Sequence, residues 1–578
     1  MLEIHLNQND KLGKNLKSSS LFIILQRMRT PFLVIIITYT ISIVGLILIE
    51  GIDKNGNPHQ MGIFDAFYFV SYMATTIGFG EAPYEFTYSQ RIWVTFSIYL
   101  TVLGWFYGIG SLVSLLQDKL FLQELERAKF GRQVKNLKDK FIIILGYNQI
   151  TSEIIKKTLE NGVRTVVIEK DRNKINHLIL ESFTPTVPVL YSENYNLDAL
   201  EFAGIKKYNC KAIVSLFEDD ALNLKIALTS KLLNKHVRIA AKSTTINHTE
   251  NLKDLDVEII ANPFSIISSE VNMALSAPNL FKLEKWLYKI DNLSANLPTF
   301  PKGKYIICGY GRMGRKIYRK LKANNIEAEL VEINKNDINN YSQEEMSHIT
   351  FGNADDKQML SDVGILEAVA IIAATNDDTT NLSVLATAKK LNPNIMTIVR
   401  ENEMEDYSIF ESANINHIFM PSKILINKTA NALINPLADK FLRMIIKKDE
   451  DWAAKVVRKL VEDINDDPLV MEVYINSKYT PELTKHLENK NTLSLDILAT
   501  SLHNKEQRNN VVPLLLQREE EILLLPIFEH NLKIGDKILL ACDEHAKSDI
   551  EYICQNANEF HYALTGEEKR TFFKGKNK

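Results

Sequence analysis

The sequence predicts a helical two-span membrane module followed by two similar α/β lobes and a small α+β tail. Three observations predict it. Two charge-free apolar runs are confined to the first fifth of a 578-residue chain. A pattern of strand, glycine turn, helix and strand then occurs twice, with Gly146 and Gly309, and likewise Glu169 and Glu332, 163 residues apart. From about Trp452 the pattern changes to short strands such as LVMEVYI and LKIGDKILLAC.

The first run, Pro31 to Ile49, holds 19 residues without a charge and as a helix spans about 28 Å, close to a bilayer core. The second, Ile92 to Leu116, holds 25 and spans about 37 Å, enough to cross at a tilt. A signal peptide is disfavoured, because the first run starts after thirty residues and a second span follows. Lys11, Lys14, Lys17, Arg27 and Arg29 precede the first span, and Lys119, Arg127, Lys129, Arg132, Lys135, Lys138 and Lys140 follow the second. Between them, before Arg91, only Lys54 is basic. The positive-inside rule therefore predicts a multi-pass protein of the cell (inner) membrane with both termini and the α/β lobes cytoplasmic.

The remaining composition is that of an ordinary folded protein. The chain has 68 Lys and Arg against 71 Asp and Glu, a formal charge of −3, and a 46% hydrophobic fraction. These values exclude disorder, collagen and a polybasic nucleic-acid binder. Cys210, Cys308, Cys542 and Cys554 lie far apart with no CxxC pair, so neither a zinc site nor a disulfide framework is expected.

Between the spans lies FDAFYFVSYMATTIGFGE, Phe64 to Glu81. Its Thr75, Thr76, Ile77, Gly78, Phe79 and Gly80 follow an apolar segment expected to be helical from about Asp65 to Ala74. The stretch resembles the pore helix and TVGYG selectivity filter of potassium channels, in which backbone carbonyls replace the hydration shell of K+. Gly78 and Gly80 would supply the unusual backbone that this requires. Phe79 stands where the family has Tyr, and Glu81 where it has Asp; neither change removes a carbonyl. One chain supplies one strand of a four-membered ring, so the resemblance implies a homotetramer around the pore. In the second span Gly104, Gly108 and Gly110 admit a gating hinge, whereas Gly104 and Gly108, four apart, equally admit close helix packing through small residues.

The repeated halves resemble tandem RCK domains, the cytosolic Rossmann-like modules that regulate potassium channels and transporters. The resemblance divides the chain into a cytoplasmic N-terminus (1–20), a pore module (21–118), a connector (119–140) and a first RCK domain (141–300). The second RCK N-lobe with its crossover helix follows (301–445), and then a C-terminal subdomain (446–578). It implies a gating ring of eight domains in the tetramer, pulling on the inner helices through the connector.

The second copy carries a complete GxGxxG, Gly309-Tyr310-Gly311-Arg312-Met313-Gly314, followed by Glu332 at the spacing of a ribose-binding acid. The glycines suit a pyrophosphate at a helix N-terminus. Glu332 repels a 2′-phosphate, so NAD(H), ADP, ATP or AMP ranks above NADP. The resemblance adds Asn353, Ala354 and Asn376 near base and ribose, and Arg400 near the phosphates.

In the first copy Asn148 and Thr151 replace the second and third glycines, so weak or no dinucleotide affinity is expected there. Glu218, Asp219 and Asp220 end a strand, with Glu193 expected opposite; they are either a divalent-cation cluster or a solvated turn. The leading function is a K+ channel gated by an adenine nucleotide. A membrane-anchored NAD-dependent oxidoreductase is the alternative, but no Ser/Tyr/Lys or His/Asp constellation offers a proton donor. A less selective cation channel on the same scaffold is disfavoured by TIGFG, which has no carboxylate between its glycines.

Overall fold

The computed structural model describes residues 28–53, 55–81, 85–297, 300–335, 342–402 and 407–568. The expected N-terminal segment 1–20 and the polar end from 569 lie outside the described residues. By contact the chain divides into a unit reaching Leu137, with residues 188–191, and a second unit of residues 138–187 and 192 onward.

The first unit has two helices long and apolar enough to cross a membrane, α1 (Met28–Leu48) and α3 (Tyr88–Gln117). A two-residue antiparallel pair, β1 (Gly51–Ile52) and β2 (Pro58–His59), and a shorter apolar helix α2 (Ile63–Ala74) lie between them in sequence. A charged helix α4 (Lys119–Asn136) follows. The second span differs from its charge-free run by up to four residues because caps set its ends. Thr87 and Gln90 form a capping box, which starts α3 before Arg91. Asp118 ends α3 and accepts hydrogen bonds from Leu120 N and Phe121 N to begin α4.

The helix α3 runs unbroken through its glycines. A Cβ on Gly104 would lie 2.8 Å from Thr38 Oγ1, and one on Gly108 would lie 2.7 Å from Ile35 Cδ1, so both glycines sit in close contact with α1. Trp93 fills the space over Gly45 and donates its indole N–H to the Ser42 carbonyl at 3.1 Å. Leu46, Met61, Ala66, Phe69, Val70 and Tyr72 form the core of this unit.

The first lobe contains β3 (Phe141–Leu145), β4 (Arg164–Glu169), β6 (Cys210–Ser215), β7 (Arg238–Lys242) and β8 (Ile259–Ala261) in the second unit, with the short β5 (Val189–Tyr191) grouped by contact with the first unit. The second contains β9 (Lys304–Cys308), β10 (Ala328–Glu332), β11 (Ile349–Phe351), β12 (Ala368–Ala373), β13 (Met396–Arg400) and β14 (His417–Phe419). Their strand orders, β5-β4-β3-β6-β7-β8 and β11-β10-β9-β12-β13-β14, are the same permutation. All pairs of the second sheet are parallel. These are two doubly wound sheets, each with its switch point beside the first strand. The central strands FIIIL and YIIC are buried outright, as sheets covered on both faces require.

The lobes exchange helices. Pro263–Ser276, which follows β8, packs on the second lobe's Arg312–Ala323, and Pro421–Ile434, which follows β14, packs on the first lobe's Gln149–Glu160. Proline in the first turn starts both exchanged helices, where its missing N–H costs nothing.

The tail is a four-stranded antiparallel sheet of β15 (Leu469–Tyr474), β16 (Val511–Arg518), β17 (Glu521–Leu524) and β18 (Lys537–Cys542), ordered β15-β18-β16-β17. One core joins Phe281 and Trp286, Phe441 and Ile445, and Leu514 and Leu539. The tail sheet thus shares its packing with the helices that follow each lobe.

Candidate functional sites: a filter strand and an anion pocket

Residues 75–81 leave α2 as an irregular segment whose backbone alternates. Thr76, Gly78 and Gly80 have left-handed φ of 61°, 64° and 74°, separated by Ile77 and Phe79. Left-handed residues at every second position let a strand aim consecutive carbonyls to one side, the arrangement that dehydrates a cation. A β-branched residue at positive φ costs about 1–3 kcal/mol unless its surroundings over-determine it. Tyr72 supplies much of that determination. Its carbonyl accepts from Ile77 N at 3.1 Å and Gly78 N at 3.3 Å, and its hydroxyl donates to the Glu81 carbonyl. Its ring also meets Phe79 edge-on, with centroids 6.4 Å apart. Tyr68 adds a hydrogen bond to Glu81 Oε2 at 3.1 Å. Phe79 brings no hydroxyl to this strand, and two tyrosines one turn apart on α2 brace it instead. Sequence reasoning missed both, because their spacing reads equally well as helix packing. Thr75 donates its hydroxyl to the Ser71 carbonyl at 2.8 Å.

Tyr72→Phe keeps the ring and removes one hydrogen bond, worth about 0.5–1.5 kcal/mol. The expected result is a lower K+ over Na+ permeability ratio, read as a shift in reversal potential with unchanged protein yield.

In the second lobe, β9 passes through the three glycines into the helix Arg312–Ala323. Gly309 has φ 96°, and a Cβ there would lie 2.9 Å from the Ala374 backbone. A Cβ on Gly314 would run into the Gly309 carbonyl, so the third glycine is what seats the helix on the turn. At Gly311 a Cβ would meet nothing within 4 Å, and no side chain caps the helix there. A cavity of about 210 Å³ opens at this point, lined by Phe264, Gly311, Arg312, Met313, Asn376 and Arg400 among others.

The cavity carries unbalanced positive charge. The guanidiniums of Arg312 and Arg400 lie 4.5 and 5.2 Å from the ring centroid of Phe264, which arrives on the exchanged helix from the first lobe. Arg400 donates to Asn376 Oδ1 at 3.3 Å, but its Nε is buried without a hydrogen-bond partner. Burial, then the charge of Arg312, pulls the pKa of Arg400 below its ordinary value, with Asp378 opposing. An anion placed here relieves that repulsion and completes the unmade hydrogen bond.

Glu332 is already engaged. It accepts from Tyr310 N at 2.6 Å and from Asn334 N at 2.9 Å, holding the glycine turn. A ribose would use the lone pairs that these bonds leave. Tyr310 is buried in the lobe core and Met313 closes one wall of the cavity. Asn353 is exposed and Ala354 buried on the turn after β11, and neither is among the residues lining the cavity.

Residues 142–263 and 305–421 match the TrkA-N domain model. "Probable potassium channel protein 2" of Methanocaldococcus jannaschii is 25% identical over 284 residues, covering 49% of this chain and 73% of that protein. The chain carries two TrkA-N, or RCK, domains and is similar to potassium channels that carry them. An uncharacterized protein of Methanothermus fervidus is 24% identical over 247 residues, 43% of this chain, and the chain spans only 38% of its length. Among solved structures, "GsuK channel bound to NAD" covers 92% of this chain and is itself 99% covered, at 15% identity and a TM-score of 0.49.

The first RCK lobe has closed the equivalent helix start. Asn148 Oδ1 accepts from Thr151 N at 2.9 Å, and Thr151 Oγ1 accepts from Asn148 N at 2.8 Å. This capping box takes up donors that a phosphate would use. Glu169 accepts from Tyr147 N, Lys170 N and Asp171 N at 2.5–2.8 Å and is buried. A wider hollow of about 440 Å³ in this lobe is bordered by Lys170, Glu193, Tyr195, Asn196 and Lys225.

The four acids that admitted a cation cluster or a solvated turn each have a separate partner or place. Glu218 pairs with Lys242 at 2.5 Å, Asp219 caps the helix Asp220–Leu233, and Asp220 is buried, accepting from Thr244 N and Thr245 N. Glu193 borders the hollow. In the second lobe Asp377 and Asp378 repeat the last two roles, capping a helix and accepting from Asn402 N. The acids serve as duplicated scaffold: a strand-to-helix turn needs a cap, and aspartate supplies it.

Proposed function

We propose that the chain is the subunit of a homotetrameric potassium channel whose open probability is set by an adenine nucleotide in the second RCK lobe. The observation that carries it is the left-handed alternation at Thr76, Gly78 and Gly80, directly after an apolar helix and between two membrane-length helices. Four such strands supply the carbonyl ring, and eight RCK lobes form the gating ring. Both termini and the lobes face the cytoplasm of the cell membrane, in line with the basic residues flanking the spans.

Arg312, Arg400 and the uncapped helix start take the phosphates of NAD(H), ADP, ATP or AMP, while Glu332 excludes a 2′-phosphate. These residues supply cations, a carboxamide and apolar surface, which bind and orient an anion. The chain is read as a regulated channel rather than an enzyme on that ground. Regulation requires that the nucleotide bind open and closed rings with different affinity.

The test is reconstitution in a planar bilayer with K+ opposed to Na+, titrating NAD+, NADH and ADP on the RCK side. The expected record reverses near the potassium potential and changes its open probability with nucleotide. A nonselective current would overturn the filter assignment, and selective current indifferent to every nucleotide would overturn the second-lobe site.

A further inference from the structure

The tail subdomain holds a cluster used by neither the pore nor the nucleotide pocket. His545 and Asp549 lie one turn apart on the helix Glu544–Gln555 and so share a face. His503 reaches the same place from the loop between Ser501 and Asn509. That loop is tied to the helix through Asp549, whose Oδ2 accepts from Leu502 N at 3.1 Å and from Asn509 Nδ2 at 2.9 Å. The two imidazole rings stand with centroids 4.9 Å apart, tilted by 50°. One ligand atom from each of the three side chains lies within 4.8 Å of the others. Asp549 is buried and both rings are exposed.

We propose that His503, His545 and Asp549 form a binding site for a divalent transition-metal ion of the Zn2+ type. Two nitrogens and one carboxylate oxygen are a borderline donor set, suited to Zn2+, Co2+ or Ni2+. Ca2+ and Mg2+ need about six or more oxygens, which one carboxylate cannot provide. Ligand atoms on a tetrahedral ion stand about 3.4 Å apart, and rotation of the two exposed rings closes the remaining distance. The amides on Oδ2 orient the carboxylate while it keeps lone pairs for the ion, the usual part of outer-shell donors. Water completes the coordination from the open side. The bound ion joins the 501–509 loop to the helix by a second bond besides the Asp549 hydrogen bonds.

Full-length protein purified in detergent and stripped with a chelator is titrated with Zn2+ by calorimetry, and Co2+ is added in parallel to record its ligand-field absorption. The expected result is one high-affinity ion per chain that Ca2+ does not displace. His503→Ala and His545→Ala should each weaken binding at least tenfold, since even outer-shell losses cost roughly 10–100-fold. The double variant should lose both this component and the Co2+ spectrum, with melting in chelator unchanged because both side chains are exposed. If the double variant does not fold, His503→Gln, on the loop, gives the same reading. No high-affinity Zn2+ in the native protein, equal Zn2+ uptake by the native protein and the variants, or displacement by equimolar Ca2+ overturns the site.

Discussion

Gly311→Asp should abolish nucleotide control of the open probability and leave potassium conduction intact. The position separates these two effects unusually well. A Cβ at 311 meets nothing within 4 Å, and the backbone there has φ −70°, which any residue adopts. The variant therefore folds. Its carboxylate enters the cavity at the uncapped helix start, in the space assigned to a phosphate, and pairs with the charge of Arg312 and Arg400. The nucleotide then loses both room and its electrostatic partner. A loss of roughly 100-fold in affinity or more is expected, about 2.7 kcal/mol at least, measured by calorimetry on the purified channel. Open probability should become flat across the NAD+, NADH and ADP titrations. A wild-type nucleotide response in this variant would move the regulatory site out of the second lobe.

The two spans, the duplication and the three glycines are local patterns, and each was legible because a short stretch of chain fixes its own chemistry. Phe264 was not legible as a wall of the nucleotide cavity. It belongs to a helix that follows the first lobe and is carried across by the helix exchange, so no spacing in the second lobe announces it. The opposition of Arg312 and Arg400, 88 residues apart, is likewise a tertiary fact. The acids 218–220 were the opposite case: their composition admitted either a cation cluster or a solvated turn, whereas local hydrogen bonding assigns each carboxylate to a cap, a loop or a lysine. Carboxylates near the start of a helix satisfy orphan backbone donors before they satisfy an ion. Glu332 illustrates the same competition within a site whose sequence pattern was read as binding: both its oxygens hold backbone amides of its own lobe.

Gly78→Ala should eliminate potassium-selective current while leaving nucleotide binding by the RCK lobes unchanged. Gly78 holds φ 64°, and its amide donates to the Tyr72 carbonyl at 3.3 Å. A Cβ there meets nothing within 4 Å inside one subunit, so crowding within the chain is not the cause. The cause is the backbone: an L-residue in the left-handed region costs about 1–2 kcal/mol, and the proposed fourfold ring would incur it four times, about 4–8 kcal/mol in all. The strand can shed that cost by turning the 78 peptide out of its left-handed geometry, which rotates a carbonyl away from the ion path. A ring missing those oxygens no longer replaces the hydration shell of K+. Gly110→Ala is the matched control, since Gly110 lies within the α3 helix with open space around a Cβ. There alanine favours the helix by roughly 1 kcal/mol, and conduction should survive. Purified Gly78→Ala protein that still reverses at the potassium potential would remove residues 75–80 from the conduction path, whatever their likeness to a filter.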